Sequence, residues 1–131
     1  MKRRTFLGTA AAFSLLPIAA CAAFVDYTPG VIEAALKDGK TVFVDYSATW
    51  CGTCKRQERV IADLMAENPA YANAMTFVKV DWDAFGSHEV TTSRGIPRRS
   101  TLLVLKGDAE LGRIVAGTGV QEIKALMDKG L

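Results

Sequence analysis

Residues 48–55 read Ala-Thr-Trp-Cys-Gly-Thr-Cys-Lys, directly after Val42-Phe-Val-Asp-Tyr-Ser47. Two thiols, Cys51 and Cys54, stand three positions apart behind a tryptophan. Such a pair serves as a redox couple, as half of a metal site, or as a structural staple, and each use needs different company in the chain. A structural zinc site takes about four ligands, mostly Cys and His. Outside the pair the chain holds one cysteine, Cys21, and one histidine, His88, so it does not complete such a site by itself. A staple closing so short a loop removes little entropy from the unfolded chain. The redox couple survives the comparison.

The flanking residues indicate what carries the thiols. Val42, Phe43, Val44 and Tyr46 form a short β-rich run typical of a buried strand, with Asp45 as its anomaly. From Cys54 onward Val60, Ile61, Leu64 and Met65 recur at helical spacing until Asn68-Pro69 ends the pattern. Cys51 is therefore expected at the N-terminus of a helix. Upstream, Thr28 is a candidate cap, Pro29 suits a first helical turn and Gly39 an exit, with Val31, Ala34, Ala35 and Asp38 as the expected stripe. Downstream, "MTFVKVDWD" and "STLLVLKG" read as strands. A turn at Gly107-Asp108, a fourth strand in "ELGRIVAG" and a closing helix through "VQEIKALMDKG" follow. The polar stretch Ser87–Ser93 reads as irregular. A crossover helix between the first two strands implies parallel neighbours and the short turn implies an antiparallel pair, so the expected fold is α/β with a central mixed sheet flanked by helices.

The chain of 131 residues suits one domain, and 50% hydrophobic with 23% charged residues suits a packed core. The N-terminus, Met-Lys-Arg-Arg-Thr-Phe-Leu-Gly followed by "TAAAFSLLPIAACAA", has the basic start and short apolar run of a signal peptide, here residues 1–23, leaving 24–131 as the domain. Arg3 and Arg4 ahead of Thr5, Phe6 and Leu7 resemble a twin-arginine export signal. Ile18-Ala19-Ala20-Cys21 resembles a lipobox, whose cysteine is lipidated; the small residues Ala20 and Ala22 equally suit ordinary cleavage. Either outcome implies a periplasmic protein, in contact with the membrane only through a lipid on Cys21, in a compartment where disulfides persist. Of the 16 Lys and Arg, the three in the signal leave 13 against 14 Asp and Glu, so nothing calls for nucleic acid.

"VFVDYSATWCGTCK" resembles the active-site segment of the thioredoxin family, whose usual form has an aspartate six positions before the first cysteine and then Trp-Cys-Gly-Pro-Cys-Lys. Asp45, Trp50, Cys51, Gly52, Cys54 and Lys55 match it; Thr53 departs from it. Lys79 matches the family's strand lysine and Gly117 its late glycine. The resemblance spans residues 25–131 and is closest to exported members, including the C-terminal domains of transmembrane thiol-disulfide interchange proteins. It implies a thioredoxin fold and a thiol-disulfide oxidoreductase.

Exchange needs a thiolate, and backbone N–H groups at a helix start favour one. Cys51 is thus the expected nucleophile and Cys54, one turn inside, the resolving thiol. By resemblance, Asp45 and Lys79 assist proton transfer at the inner cysteine. Trp50, Gly52, Thr53, Ile96 and Pro97 are the expected substrate-contacting surface, Pro97 as the family's cis-proline. Counting back from Lys106 and Gly107 instead puts Ser100 at that place, and the local word "GIP" favours Pro97. Arg98 and Arg99 then border the thiols. No cofactor and no metal are required. The expected partners are protein disulfide substrates and a membrane electron donor. The competing use of the same thiols is a copper metallochaperone, with His88 as a remote third ligand.

Overall fold

The computed structural model describes residues 24–131, so the expected signal segment, its paired arginines and Cys21 lie outside the described residues. Five strands, β1 (Val25–Asp26), β2 (Thr41–Ser47), β3 (Met75–Asp81), β4 (Thr101–Lys106) and β5 (Ala109–Val115), form one sheet in the order β1-β3-β2-β4-β5. β3 runs parallel to both β1 and β2, while β4 is antiparallel to β2 and β5. The mixed sheet expected from the sequence is the one observed. Its parallel step uses helices α2 (Gly52–Glu67) and α3 (Ala70–Ala74) as the crossover, and its hairpin turns at Gly107, whose φ of 56° suits glycine.

β2 lies at the centre and is buried along its whole length. Because successive side chains point to opposite faces, Val42, Val44 and Tyr46 pack with Val78, Val80 and Leu103 on one side, against Ile32 of helix α1 (Val31–Lys37). Phe43 faces the other way, among Ile61 and Leu64 of α2 and Ile123 and Met127 of helix α6 (Val120–Asp128). The same alternation sends Asp45 to the α2 face. Lys79, paired in register with Asp45, comes from the neighbouring strand.

The local details differ from the sequence reading at several places. Thr28 does not cap α1 with its side chain: the helix starts at Val31 behind Gly30 at φ 92°, and Thr28 contributes only its carbonyl to the Val31 N–H, at 3.1 Å. Its buried residue is Ile32, with Val31, Ala35 and Leu36 half-buried, so the stripe is rotated and Ala34 and Asp38 are exposed. Gly39 at φ 79° is the exit, as its position suggested. The stretch read as irregular contains helix α5 (Glu89–Thr92), preceded by α4 (Trp82–Phe85). These single turns, like α3 and the two-residue β1, are too short to produce a periodic pattern. Side-chain caps identify them instead, Asp81 accepting from the Asp83 N–H and His88 Nδ1 from the Val90 N–H.

Phe43 is fully buried at the meeting of β2, α2 and α6. Phe43→Ala should destabilise the domain by about 3–5 kcal/mol, the usual cost of truncating a buried phenylalanine. Urea unfolding of the reduced protein reads this directly, and a loss below 1 kcal/mol would mean that the α2 face is not packed as described.

Candidate active site

Cys51 is the N-cap of α2, and no acidic residue stands in the first turn to neutralise the positive end of that helix. Its Sγ accepts a hydrogen bond from the Cys54 N–H at 3.2 Å. Cys51 is 2% exposed and Cys54 fully buried, so the outer sulfur is the one that a second molecule can reach. Burial pushes the Cys51 thiol up, but hydrogen bonds from the Cys54 thiol, the Ser100 hydroxyl, the Cys54 N–H and Arg99 outweigh it and bring the pKa down to about 7. Cys54 moves the opposite way: burial and its bond to Cys51 raise it. At neutral pH one sulfur is thus substantially anionic and its neighbour protonated.

Ser100 closes the site from the sheet side. Its Oγ lies 3.2 Å from Cys51 Sγ and 3.1 Å from Cys54 Sγ. The register of β4 brings it there: Thr101 pairs with Tyr46, and the preceding Ser100 N–H donates to the Tyr46 carbonyl at 2.7 Å. The Ser100 carbonyl in turn accepts from the Ala116 N–H at 2.9 Å and from Gln57 Nε2 at 2.9 Å. Gln57 Nε2 also reaches the carbonyl of Gly117 at 2.9 Å, tying α2 to the end of β5. Of the two registers weighed in the sequence, the structure therefore places Ser100, not Pro97, against the sulfurs. Pro97 is exposed and follows an ordinary trans peptide, and Ile96 is buried beside Tyr46, Val90 and Leu103 in the core. The reason is the strand register: Thr101 pairs with Tyr46, and Arg98 and Arg99 stand between Pro97 and Ser100, so the "GIP" word ends three residues short of the position beside the sulfurs.

Arg99 occupies the rim that Ile96 was expected to form. Its guanidinium carbon stands 4.4 Å from the centroid of the Trp50 ring, a cation–π stack on a residue 57% exposed. The other edge of that indole is anchored by Nε1, which donates to both Asp83 carboxylate oxygens at 3.1 and 3.0 Å. Gly52 is exposed and Thr53 half-buried in the first turn of α2, beside this surface.

Beneath the thiols Asp45 is fully buried, and neither carboxylate oxygen has a hydrogen-bond partner. Burial, and then the charge of Glu58, raise its pKa to about 7, against the opposing pull of Lys79. Lys79 and Asp45 are neighbours in register, yet Lys79 Nζ pairs with Glu58 Oε1 at 3.0 Å. Glu58 also accepts from the Ser47 hydroxyl at 2.9 Å. A cleft of about 550 Å³ opens onto Ser47, Lys55, Glu58 and Lys79. His88 is elsewhere, capping α5 with its ring edge-on to Phe85 and Tyr27, so it is not a third ligand at the thiols. Among the described residues no group of three His, Cys, Asp or Glu side chains is placed to hold a metal.

The family model described as thioredoxin matches residues 25–129. This chain belongs to the thioredoxin family. It is 32% identical to a thioredoxin of Echinococcus granulosus over 70% of this chain and 82% of that protein. With thioredoxin-1 of Saccharomyces cerevisiae the figures are 31%, 67% and 80%. Among solved structures, it resembles the thioredoxin NaTrxh of Nicotiana alata at a TM-score of 0.64 and 28% identity, covering 82% of this chain and 91% of that one. It likewise resembles Trxlp of Edwardsiella tarda, at 0.66 and 26% identity over 77% and 96%. The chain is accordingly a thiol-disulfide oxidoreductase of the thioredoxin type, with Cys51 and Cys54 as its dithiol. Gln57, Glu58 and Asp83 are the residues the structure adds to the sequence reading, which already offers Ser100 as one of two candidates. Gln57 and Glu58 stand three and four residues after Cys54, one helical turn on, and that spacing was the available signal. Asp83 had none.

A carboxyl whose folded pKa is about 7 against about 3.9 when unfolded binds its proton more tightly in the folded state. The stability that Asp45 contributes is therefore fully present below about pH 4 and is lost as pH rises through 7, by on the order of 4 kcal/mol. Asp45→Asn should flatten this slope and leave the reduced protein more stable than wild type at pH 8. Urea midpoints between pH 4 and 8 test it; parallel curves for the two proteins would mean that Asp45 titrates normally.

Proposed function

We propose that this protein is an exported thioredoxin that reduces or exchanges disulfides in periplasmic partner proteins. The observation that carries the chemistry is a Cys51 sulfur held as an anion at the start of α2, with the protonated Cys54 one turn behind it. Cys51 attacks a substrate sulfur; a bond forms between them, the substrate disulfide breaks, and its second sulfur leaves as a thiolate that takes a proton from water. Cys54 then gives its proton to the Asp45 carboxylate and attacks Cys51. The mixed disulfide breaks, the remaining substrate sulfur leaves as a thiolate, and a Cys51–Cys54 disulfide remains. Two electrons pass from protein to substrate.

An acid with a pKa near 7 is matched to that proton transfer at neutral pH. Lys79, held by Glu58, keeps a positive charge close to it, and the cleft over Ser47 and Glu58 offers the proton a way to water. Trp50, Gly52 and Thr53 present the docking surface, joined by Arg99 in place of Ile96 and Pro97. Thr53 replaces the family's proline between the cysteines, where substitutions tune the potential over a wide range. Export is supported by the basic, alanine-rich N-terminus with Arg3 and Arg4, and residues 18–21 support lipidation of Cys21. Outside the cytoplasm the spent disulfide has to be recharged, which calls for a membrane protein that passes electrons across.

Cys51→Ser should abolish dithiol-dependent reduction of insulin, and Cys54→Ser should accumulate mixed disulfides with natural partners, separable on non-reducing gels. Full activity in Cys51→Ser would sink the assignment. For export, residues 1–23 fused to a reporter that functions only outside the cytoplasm should confer activity, and Arg3→Lys with Arg4→Lys should remove it; a fusion retained inside the cell would refute the location.

A further inference from the structure

A serine hydroxyl placed between two sulfurs has one proton to give and two claimants for it. We propose that Ser100 is a catalytic residue of this dithiol, donating its hydroxyl hydrogen bond first to the Cys51 thiolate and then to the Cys54 thiolate as the reaction passes from one sulfur to the other. The inference rests on the oxidoreductase reading above and adds a residue whose type the family motif does not supply.

The geometry is unusually determined. Ser100 is fully buried, and its Oγ is 3.2 Å from one sulfur and 3.1 Å from the other. Three hydrogen bonds hold its backbone: its N–H to the Tyr46 carbonyl, and its carbonyl from Ala116 and Gln57. The residue sits at φ 65°, a left-handed conformation that costs a non-glycine residue energy. Glycine would occupy that conformation without strain, so the serine is not there for the backbone's sake.

In the resting dithiol the hydroxyl donates to the anionic Cys51, which also receives the Cys54 thiol proton. Once Cys51 is joined to a substrate sulfur it carries no charge, and the hydroxyl proton is free to turn toward Cys54. Cys54 loses its proton to Asp45, and its developing thiolate now receives the bond that Cys51 has given up. When Cys54 attacks, the Cys51–Cys54 bond forms, the substrate sulfur leaves with the electron pair, and the hydroxyl faces a neutral disulfide. Disulfide sulfurs are weak acceptors compared with a thiolate, so the hydrogen bond favours the dithiol over the disulfide. Ser100 thus makes the protein easier to reduce than the same site without a hydroxyl.

Two variants separate the hydroxyl from the backbone. Ser100→Gly removes it while relieving the positive φ; Ser100→Ala removes it while keeping the Cβ and the strain. In both, the thiolate absorbance of Cys51 should titrate about one pH unit higher. The equilibrium with glutathione should shift about tenfold toward the protein disulfide, about 30 mV more reducing for a two-electron couple. Mixed disulfide should also persist longer in single turnovers, although Cys54 is present. Variants that keep the wild-type titration and glutathione equilibrium overturn the proposal, as does a shift in only one of them, which would assign the effect to the backbone. If one variant does not fold, the other decides by the same two readouts. Failure of the oxidoreductase reading is a different result: wild-type protein that forms no reversible Cys51–Cys54 disulfide with glutathione at all.

Discussion

A negative charge on the sulfur of a residue that is 2% exposed has to be met by donors from the protein. Every feature of the site follows from that demand. The start of α2 supplies one donor in the Cys54 N–H and a helix terminus free of acidic side chains. The sheet supplies the second, since β2 is paired on both edges and the residue before β4 arrives beneath the sulfurs at the level of Tyr46. A one-residue slip of β4 would exchange the two faces of the sheet, carry Leu102 and Val104 out of the α2 core, and remove the hydroxyl from the thiols. The packing of Phe43 with those two leucine and valine side chains is therefore what holds the chemistry in register.

A second charge is buried under the first. Asp45 and Cys51 both prefer to be neutral when the other is ionised, and burial raises the acid further. Glu58 sharpens this arrangement. By drawing Lys79 into an ion pair over the Ser47 hydroxyl, it leaves the Asp45 oxygens without a direct partner. A carboxylate ion-paired to lysine would stay ionised at neutral pH and stabilise the fold; an unpartnered one costs stability and keeps a proton within exchange of physiological pH. The fold is thus weakened at the buried acid to which the proposed mechanism assigns the proton transfer.

Long elements with a full periodic pattern were legible in the sequence: the strand at Val42–Tyr46, the helix through Ile61 and Leu64, and the hairpin at Gly107. So was the dithiol, because Trp-Cys-Gly-Thr-Cys-Lys combines a strand exit, a helix start and two thiols at fixed spacing. The single turns α3, α4 and α5 were not, since four or five residues contain barely one period. The misplaced proline has a different cause. "GIP" is a local word, whereas the position beside the sulfurs is set by a long-range register, Thr101 against Tyr46, that is not expressed in neighbouring residues. Counting from the hairpin turn at Gly107 carried the right information because β4 is a regular strand whose length converts sequence distance into position. Glu58 and Gln57 were hidden for a related reason: polar residues on a helix read as solvent-facing until the buried groups they serve are located.

Of the two arginines that stand between Pro97 and Ser100, Arg99 places a cation at the mouth of the site. A free arginine side chain loses considerable rotamer freedom when fixed in one place. Arg99 is stacked on Trp50, and Trp50 is itself held by Asp83, so much of that cost is met before any substrate arrives. Lys55 and Arg56 are exposed on the first turns of α2, and Asp83 holds the other edge of the indole, so the Arg99 cation and a carboxylate flank the same ring. Arg99 acts in the same sense as the helix terminus, since its hydrogen bond toward Cys51 favours the thiolate. One side chain thus does two things at the mouth of the site: it stiffens the exposed indole beside Cys51 and it favours the anion of the sulfur that reacts.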